Sequence, residues 1–182
     1  MNDYVIVTDA TCDLPAALAE QIGVDVIPME FTMSGKVYKH YPDAHEMDFH
    51  TFYERTKNGE MSVTSQINGV SYDKYWEPIL KEGKNILYIG FSSALSGTYQ
   101  ASKIAAEELM GQYGNRRIIC IDSKAASVGE GMLVFAAAHK KAEGMNFEQL
   151  VQWVEENRDH ACHWFTVDDL NHLKRGGRVS TV

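Results

Sequence analysis

The chain has 182 residues, 45% of them hydrophobic and 23% charged, with a formal net charge of −8. That is enough apolar material for one sizeable core, and the acidic balance argues against a general nucleic-acid binder or a protein that adheres to anionic membrane surfaces. No apolar run approaches the ~20 residues that span a bilayer, and the opening MNDYVIVTDA lacks the basic and apolar regions of a secretory leader. Cys12, Cys120 and Cys162 are odd in number and far apart, the pattern of reduced thiols in a cytoplasmic protein.

Apolar runs of strand length alternate with helical patterns. YVIVTD (4–9) predicts a strand, and residues 13–23 a helix with Asp13 as its cap, Pro15 in the first turn and Gly23 as the stop. Residues 24–31 predict a second strand, with Pro28 forcing an edge or a bulge. Residues 32–47 are polar and turn-rich and predict a loop. Residues 48–59 predict a helix with Phe49, Phe52 and Tyr53 on one face, and 71–83 another, interrupted at Pro78. VTSQING (63–69) lies between them as a loop. NILYIGF (85–91) is a continuous apolar run, as in a strand buried on both faces. A helix over about 97–110 follows, with Tyr99, Ile104, Ala105 and Leu109 facing inward. RRIICID (116–122) predicts a strand and 131–144 a helix. Phe147, Leu150, Val151 and Val154 form the stripe of a further helix over 147–158. Residues 161–167 predict a weaker strand, and 168–177 a short helix capped by Asp168. The fold class is therefore α/β, a parallel-rich sheet flanked by helices on both faces.

In such sheets ligands bind outside the carboxyl ends of the strands. Here those ends carry Thr8, Asp9 and Thr11, then Ser92, Ser93, Ser96, Gly97 and Thr98, then Asp122, Ser123 and Ser127. Each such residue alone reads as a helix cap. Together, with the N-terminus of the helix near Gly97, they suit a small anion held by neutral donors. The sequence has neither GxxxxGK[ST] nor GxGxxG after a strand, so it offers no nucleotide cradle, and its seven histidines show no metal-ligand spacing. GFSSA (90–94) comes near the nucleophile-elbow pattern. It leaves open a serine hydrolase of esters or thioesters with Ser92 as nucleophile, Asp122 or Asp168, and His172. Against that reading, the fifth position is Ala94 and the helix starts beyond Ser92.

IVTDATCDLP, VTSQ, SSALSGTYQAS, DSKAASVGEG and FTVDDLNHLKRGGRVS follow one another along the chain. In that order and spacing they resemble the sequence blocks of the DegV family. The resemblance implies a two-domain, non-enzymatic lipid-binding protein of bacterial phospholipid metabolism. It implies a long-chain fatty acid in an apolar tunnel, its carboxylate held by hydroxyls, and no cofactor. It further implies a partner fatty acid kinase that phosphorylates the bound lipid. By the same resemblance Thr64 and Ser96 hold the carboxylate at Gly97, with Ser93 as the alternative within SSALSG, and Arg175 and Arg178 meet the phosphate or the kinase. Met29, Phe31, Met33 and Leu95 are candidates for the tunnel lining. Residues 1–167 correspond to the family's first domain, and 168–182 to the start of the crossover into a second domain that is missing or truncated. Two positions depart from the family pattern: Ala10 replaces a hydroxyl residue and Ile67 a proline.

Overall fold

The apolar runs at 4–9, 85–91 and 116–122 pair side by side in the protein, whose computed structural model describes residues 4–167 and 170–177. They form β1 (Tyr4–Asp9), β6 (Asn85–Gly90) and β7 (Ile118–Asp122), joined by β2 (Val24–Ile27) in a parallel sheet of order β2-β1-β6-β7. The register sets Ile6 beside Leu87 and Leu87 beside Ile119.

Because side chains alternate across a strand, this sheet feeds two cores. On one face Ile6, Leu87 and Ile89 pack with α1 (Ala16–Ile22), α5 (Val128–Ala142) and α6 (Phe147–Asn157), through Ala19, Leu133, Val134, Leu150 and Val154. On the other, Val7, Ile86 and Tyr88 meet α3 (Gly69–Lys81) and α4 (Thr98–Tyr113), through Tyr72, Trp76, Ala105 and Leu109. Helices thus cover both faces, as the alternating pattern predicts. Pro78 lies within α3 without ending it. Asn146 caps α6 in a reciprocal box with Gln149.

Several elements differ from the sequence expectation. Residues 24–31 form two strands in two different sheets: β2 stops at Ile27, and β3 (Met29–Met33) begins after Pro28, which has no N–H to give a ladder. Residues 32–47 are not one loop. The end of β3, a turn at Ser34–Gly35 and β4 (Lys36–His40) make an antiparallel hairpin. Part of the 63–69 segment is also a strand, β5 (Ser62–Ser65), on the other side of β3, so the second sheet has order β4-β3-β5. Over it lies α2 (Phe49–Lys57), capped by Asp48 and seated by Phe52 against Phe31. Phe49 and Tyr53 of α2 are exposed, and so is Ile104 of α4, which points away from the core.

Asp13 does not cap α1. It sits in the left-handed region at the end of a 3₁₀ turn (Ala10–Cys12) whose cap is Asp9. Residues 161–167 run without strand pairing, and Trp164 and Phe165 are 98% and 83% exposed. A short helix, α7 (Leu170–Arg175), follows. The proposed cap Asp168 lies outside the described residues. No helix among the described residues is long and apolar enough to cross a membrane.

Candidate functional site

The carboxyl ends of β1, β6 and β7 open into a groove of about 1340 Å³ bounded on another side by the small sheet. Met29 and Thr64 reach it from β3 and β5, followed by Gln66. The β6–α4 loop contributes Leu95, Ser96 and Gly97. Thr11 and the segment leading into α5, Ser127 to Gly129, add to the lining, and His163, Trp164 and Phe165 lie along it.

Three of the residues singled out in the sequence therefore meet here: Thr64, Ser96 and Gly97. The Thr64 hydroxyl makes no hydrogen bond among the described residues, whereas Ser96 is wired into the start of α4. Its Oγ accepts the Thr98 N–H at 3.2 Å and lies 3.0 Å from the Thr98 hydroxyl. Thr98 Oγ1 accepts the Ile67 N–H at 3.4 Å. With Thr98 donating to Ser96, the Ser96 proton is left for an acceptor in the groove. The same bonds tie the TSQI segment to the LSGT segment. Gly97 lies close against the Gln66 carboxamide, and a Cβ there would displace the end of that side chain. Ile67, where the family has proline, is 3% exposed and packs in the core.

Ser93 is placed differently. It is exposed, and its hydroxyl donates to Asp122 Oδ2 at 2.5 Å while its N–H reaches Oδ1 at 3.1 Å. Ser92 is buried, and its Oγ accepts the Ala94 N–H at 3.3 Å. Its carbonyl takes the N–H groups of Leu95 and Ser96. Among the described residues no hydrogen bond joins Ser92 to a histidine, and α4 starts only at Thr98. This is a helix lead-in, not a strained elbow.

Of the expected tunnel residues, Met29 and Leu95 line the groove. Met33 is fully buried, and Phe31 stacks on Tyr38 with centroids 5.4 Å apart. Lys124 is the groove's lysine, and Asp159 pairs with it at 2.8 and 2.9 Å. The head of the groove is thus furnished by neutral donors. Arg175 ends α7, its side chain outside the described residues; Arg178, and the side chain of His172, lie outside them too.

Sequence reasoning noted Gln66 only as a polar residue of the 63–69 loop and did not place His163, Trp164 or Phe165 in the site. The close fit of His163 shows in Gly129, where a Cβ would come within 2.7 Å of the imidazole. Asp9 was noted only as a residue following β1. It is fully buried, and it accepts from the Thr11 N–H at 3.1 Å, the Tyr88 hydroxyl at 2.6 Å and the Phe91 N–H at 3.1 Å. Burial, then the Asp9 charge, push the Tyr88 phenol well above its usual range, so Tyr88 remains a donor.

A family model described as "Uncharacterised protein, DegV family" matches residues 3–182. The chain belongs to the DegV family. It is 40% identical, over its whole length, to a DegV domain-containing protein of Clostridium perfringens, of which it covers 62%. Among solved structures it superposes with a TM-score of 0.83 on a fatty-acid-binding DegV family protein from Thermus thermophilus, at 33% identity over 97% of this chain and 60% of that one. DegV of Bacillus subtilis, described as a fatty acid binding protein, matches with a TM-score of 0.81 at 27% identity, covering 98% of this chain and 61% of that one. The chain thus spans less than two thirds of the length of these DegV relatives.

Proposed function

We propose that this chain binds a long-chain fatty acid in the groove at the carboxyl ends of β1, β6 and β7. The observation that carries the reading is the polarity of the lining. The Thr64 and Ser96 hydroxyls and the start of α4 at Gly97 gather at one place, and Met29, Leu95, Trp164 and Phe165 supply apolar surface around it. The carboxylate takes the hydroxyl protons and the partial positive charge of the helix N-terminus. Each hydrogen bond to a charged group contributes about 1.5–3 kcal/mol, and each buried methylene of the acyl chain about 0.8 kcal/mol. No lysine is required. The fatty-acid binding described for the Thermus and Bacillus relatives supports the same reading.

The chain acts as a carrier and not as the catalyst. It presents the carboxylate to a partner fatty acid kinase, which forms the acyl phosphate, and Arg175 and Arg178 meet the phosphate or the kinase. The setting is the cytoplasm. Native mass spectrometry after incubation with palmitate tests the binding: one bound fatty acid per chain is expected, and a well-folded chain that retains none refutes it. Replacing both arginines by Glu should lower acyl phosphate formation by a fatty acid kinase while palmitate binding persists. Unchanged turnover would remove them from that role.

A further inference from the structure

Behind the groove wall, two carboxyl groups surround a single hydroxyl. Thr11 Oγ1 lies 2.5 Å from Asp9 Oδ1 and 2.8 Å from Glu130 Oε2. Glu130 is fully buried in the first turn of α5, and its other oxygen is 3.2 Å from the Thr8 hydroxyl, which is buried as well. A threonine hydroxyl has one hydrogen to donate. It cannot serve both carboxyls, and two ionised carboxylates about one hydroxyl would leave an oxygen–oxygen contact with no hydrogen in it, away from water. One carboxyl must carry the missing hydrogen.

The donor count says which one. Four donors converge on Asp9: the Thr11 N–H and hydroxyl on one oxygen, the Tyr88 hydroxyl and Phe91 N–H on the other. They fill its lone-pair sites. Glu130 has only the Thr8 hydroxyl and the contested hydrogen of Thr11. The N-terminus of α5 favours an anion there, but burial, seconded by the Asp9 charge, holds the Glu130 carboxyl well above the usual carboxylate range, with Thr11 and Thr8 pulling the other way. The remaining titratable neighbours give no relief. Asp13 acts in the same sense as Asp9, and the Cys12 thiol, pushed up to about 12 chiefly by burial, stays neutral. Among the described residues no basic side chain pairs with Glu130.

We propose that Glu130 is a neutral carboxylic acid in the folded protein, donating to Thr11, which donates to the Asp9 carboxylate, and that it is a positioning residue for the groove. Thr11 lines the groove, and its carbonyl accepts the Ser127 N–H at 2.8 Å just ahead of α5. In the other direction Tyr88 meets Tyr72 at 3.1 Å, and Tyr72 lies at hydrogen-bond distance from the carbonyl of Thr98, the neighbour of Ser96. Tyr72 has one hydrogen for these two acceptors, so a run of close polar contacts, and not an unbroken chain of hydrogen bonds, links the α5 side of the groove to the α4 side. The positioning role rests on the fatty-acid reading; the protonation state does not.

An acid whose folded-state pKa is raised contributes stability that is complete below its unfolded value of about 4.5 and is lost as pH rises toward the folded one. Infrared spectra at neutral pH should show a protonated-carboxyl C=O band in the wild type that disappears in Glu130→Gln. The glutamine amide can donate to Thr11 without titrating, so the Tm of the wild type should fall relative to that variant as pH rises above about 4.5. Glu130→Ala should weaken palmitate binding at least about tenfold, and Glu130→Gln should restore it. No carboxyl band, or a Tm difference independent of pH, overturns the protonation. Wild-type palmitate affinity in Glu130→Ala overturns the positioning role. If the wild type binds no palmitate, the fatty-acid reading fails, and the band, which titrates in the wild type itself, still decides the protonation state.

Discussion

The two sheets border one groove on different terms. In the parallel sheet Ile86, Leu87, Tyr88 and Ile89 of β6 are all 0% exposed, packed between two layers of helices. In the antiparallel sheet Val37 and Val63 are 56% and 65% exposed, and α2 buries no residue. The first is held by apolar area removed from water. The second buries Met29 and Met33 and otherwise rests on a few contacts, among them the Phe31–Tyr38 stack, the edge-on Phe31–Phe52 pair and the Arg55–Glu60 ion pair at 2.6 Å. The groove accordingly has one rigid side and one side of low local stability. Thr64 stands on the soft side and Ser96 on the rigid one, so the proposed carboxylate site would join regions of unequal strength.

The sharpest way to test that inequality is to damage each side. Trp76→Ala removes a fully buried ring from the main core and should cost about 3–5 kcal/mol in urea unfolding, melting both sheets together. Thr64→Ala with Ser96→Ala should cost about 3 kcal/mol of palmitate affinity by calorimetry, with little change in Tm. A double variant that binds like the wild type would show that the carboxylate lies elsewhere. Phe52→Ala should cost about 1–2 kcal/mol, and hydrogen exchange should rise in residues 29–65 while β6 stays protected; equal loosening of both sheets would erase the distinction. The smallest effect concerns acid. Hydrogen bonds from Arg55, then from the Ser34 hydroxyl, lower the Glu60 carboxyl from 4.5 to about 2. That pair stabilises the small sheet above about 4.5 and lets go as pH falls toward 2. Acid should loosen residues 29–65 first, as read by hydrogen exchange, and Glu60→Gln should abolish that window. The sign is opposite to that expected at Glu130.

What the sequence discloses follows the same division. β1, β6 and β7 are legible because strands buried on both faces read as unbroken apolar runs. The hairpin of β3 and β4 was missed because Lys36, Lys39 and His40 make β4 look like solvated loop. Its signal was the Ser34–Gly35 pair, two turn residues between strand-length runs. Residues 161–167 misled in the other direction, since Trp164 and Phe165 gave strand character to a segment that pairs with no strand among the described residues. Ser96 and Gly97 stood among the polar strand ends, the family motifs added the role of Thr64 and Ser96, and the structure brings all three to one groove. Ser93 and Ser96 could not be separated in sequence, because the difference lies in Asp122, which folding brings onto Ser93. The Asp9–Thr11–Glu130 contact joins residues more than a hundred positions apart, and neither hydropathy nor local spacing reports such a meeting.

The small sheet begins just after Pro28 and ends just before Gln66, and the flanking residues Ile27 and Ile67 are 0% and 3% exposed in the same core. The insertion is therefore anchored at both flanks, and Met29 of β3 packs in that core with them. Substitutions within residues 29–65 can reshape what the groove accepts while the parallel sheet and its helices stay as they are. Met29 and Thr64 belong to that module, whereas Thr11, Ser96 and Gly97 line the groove from the parallel framework.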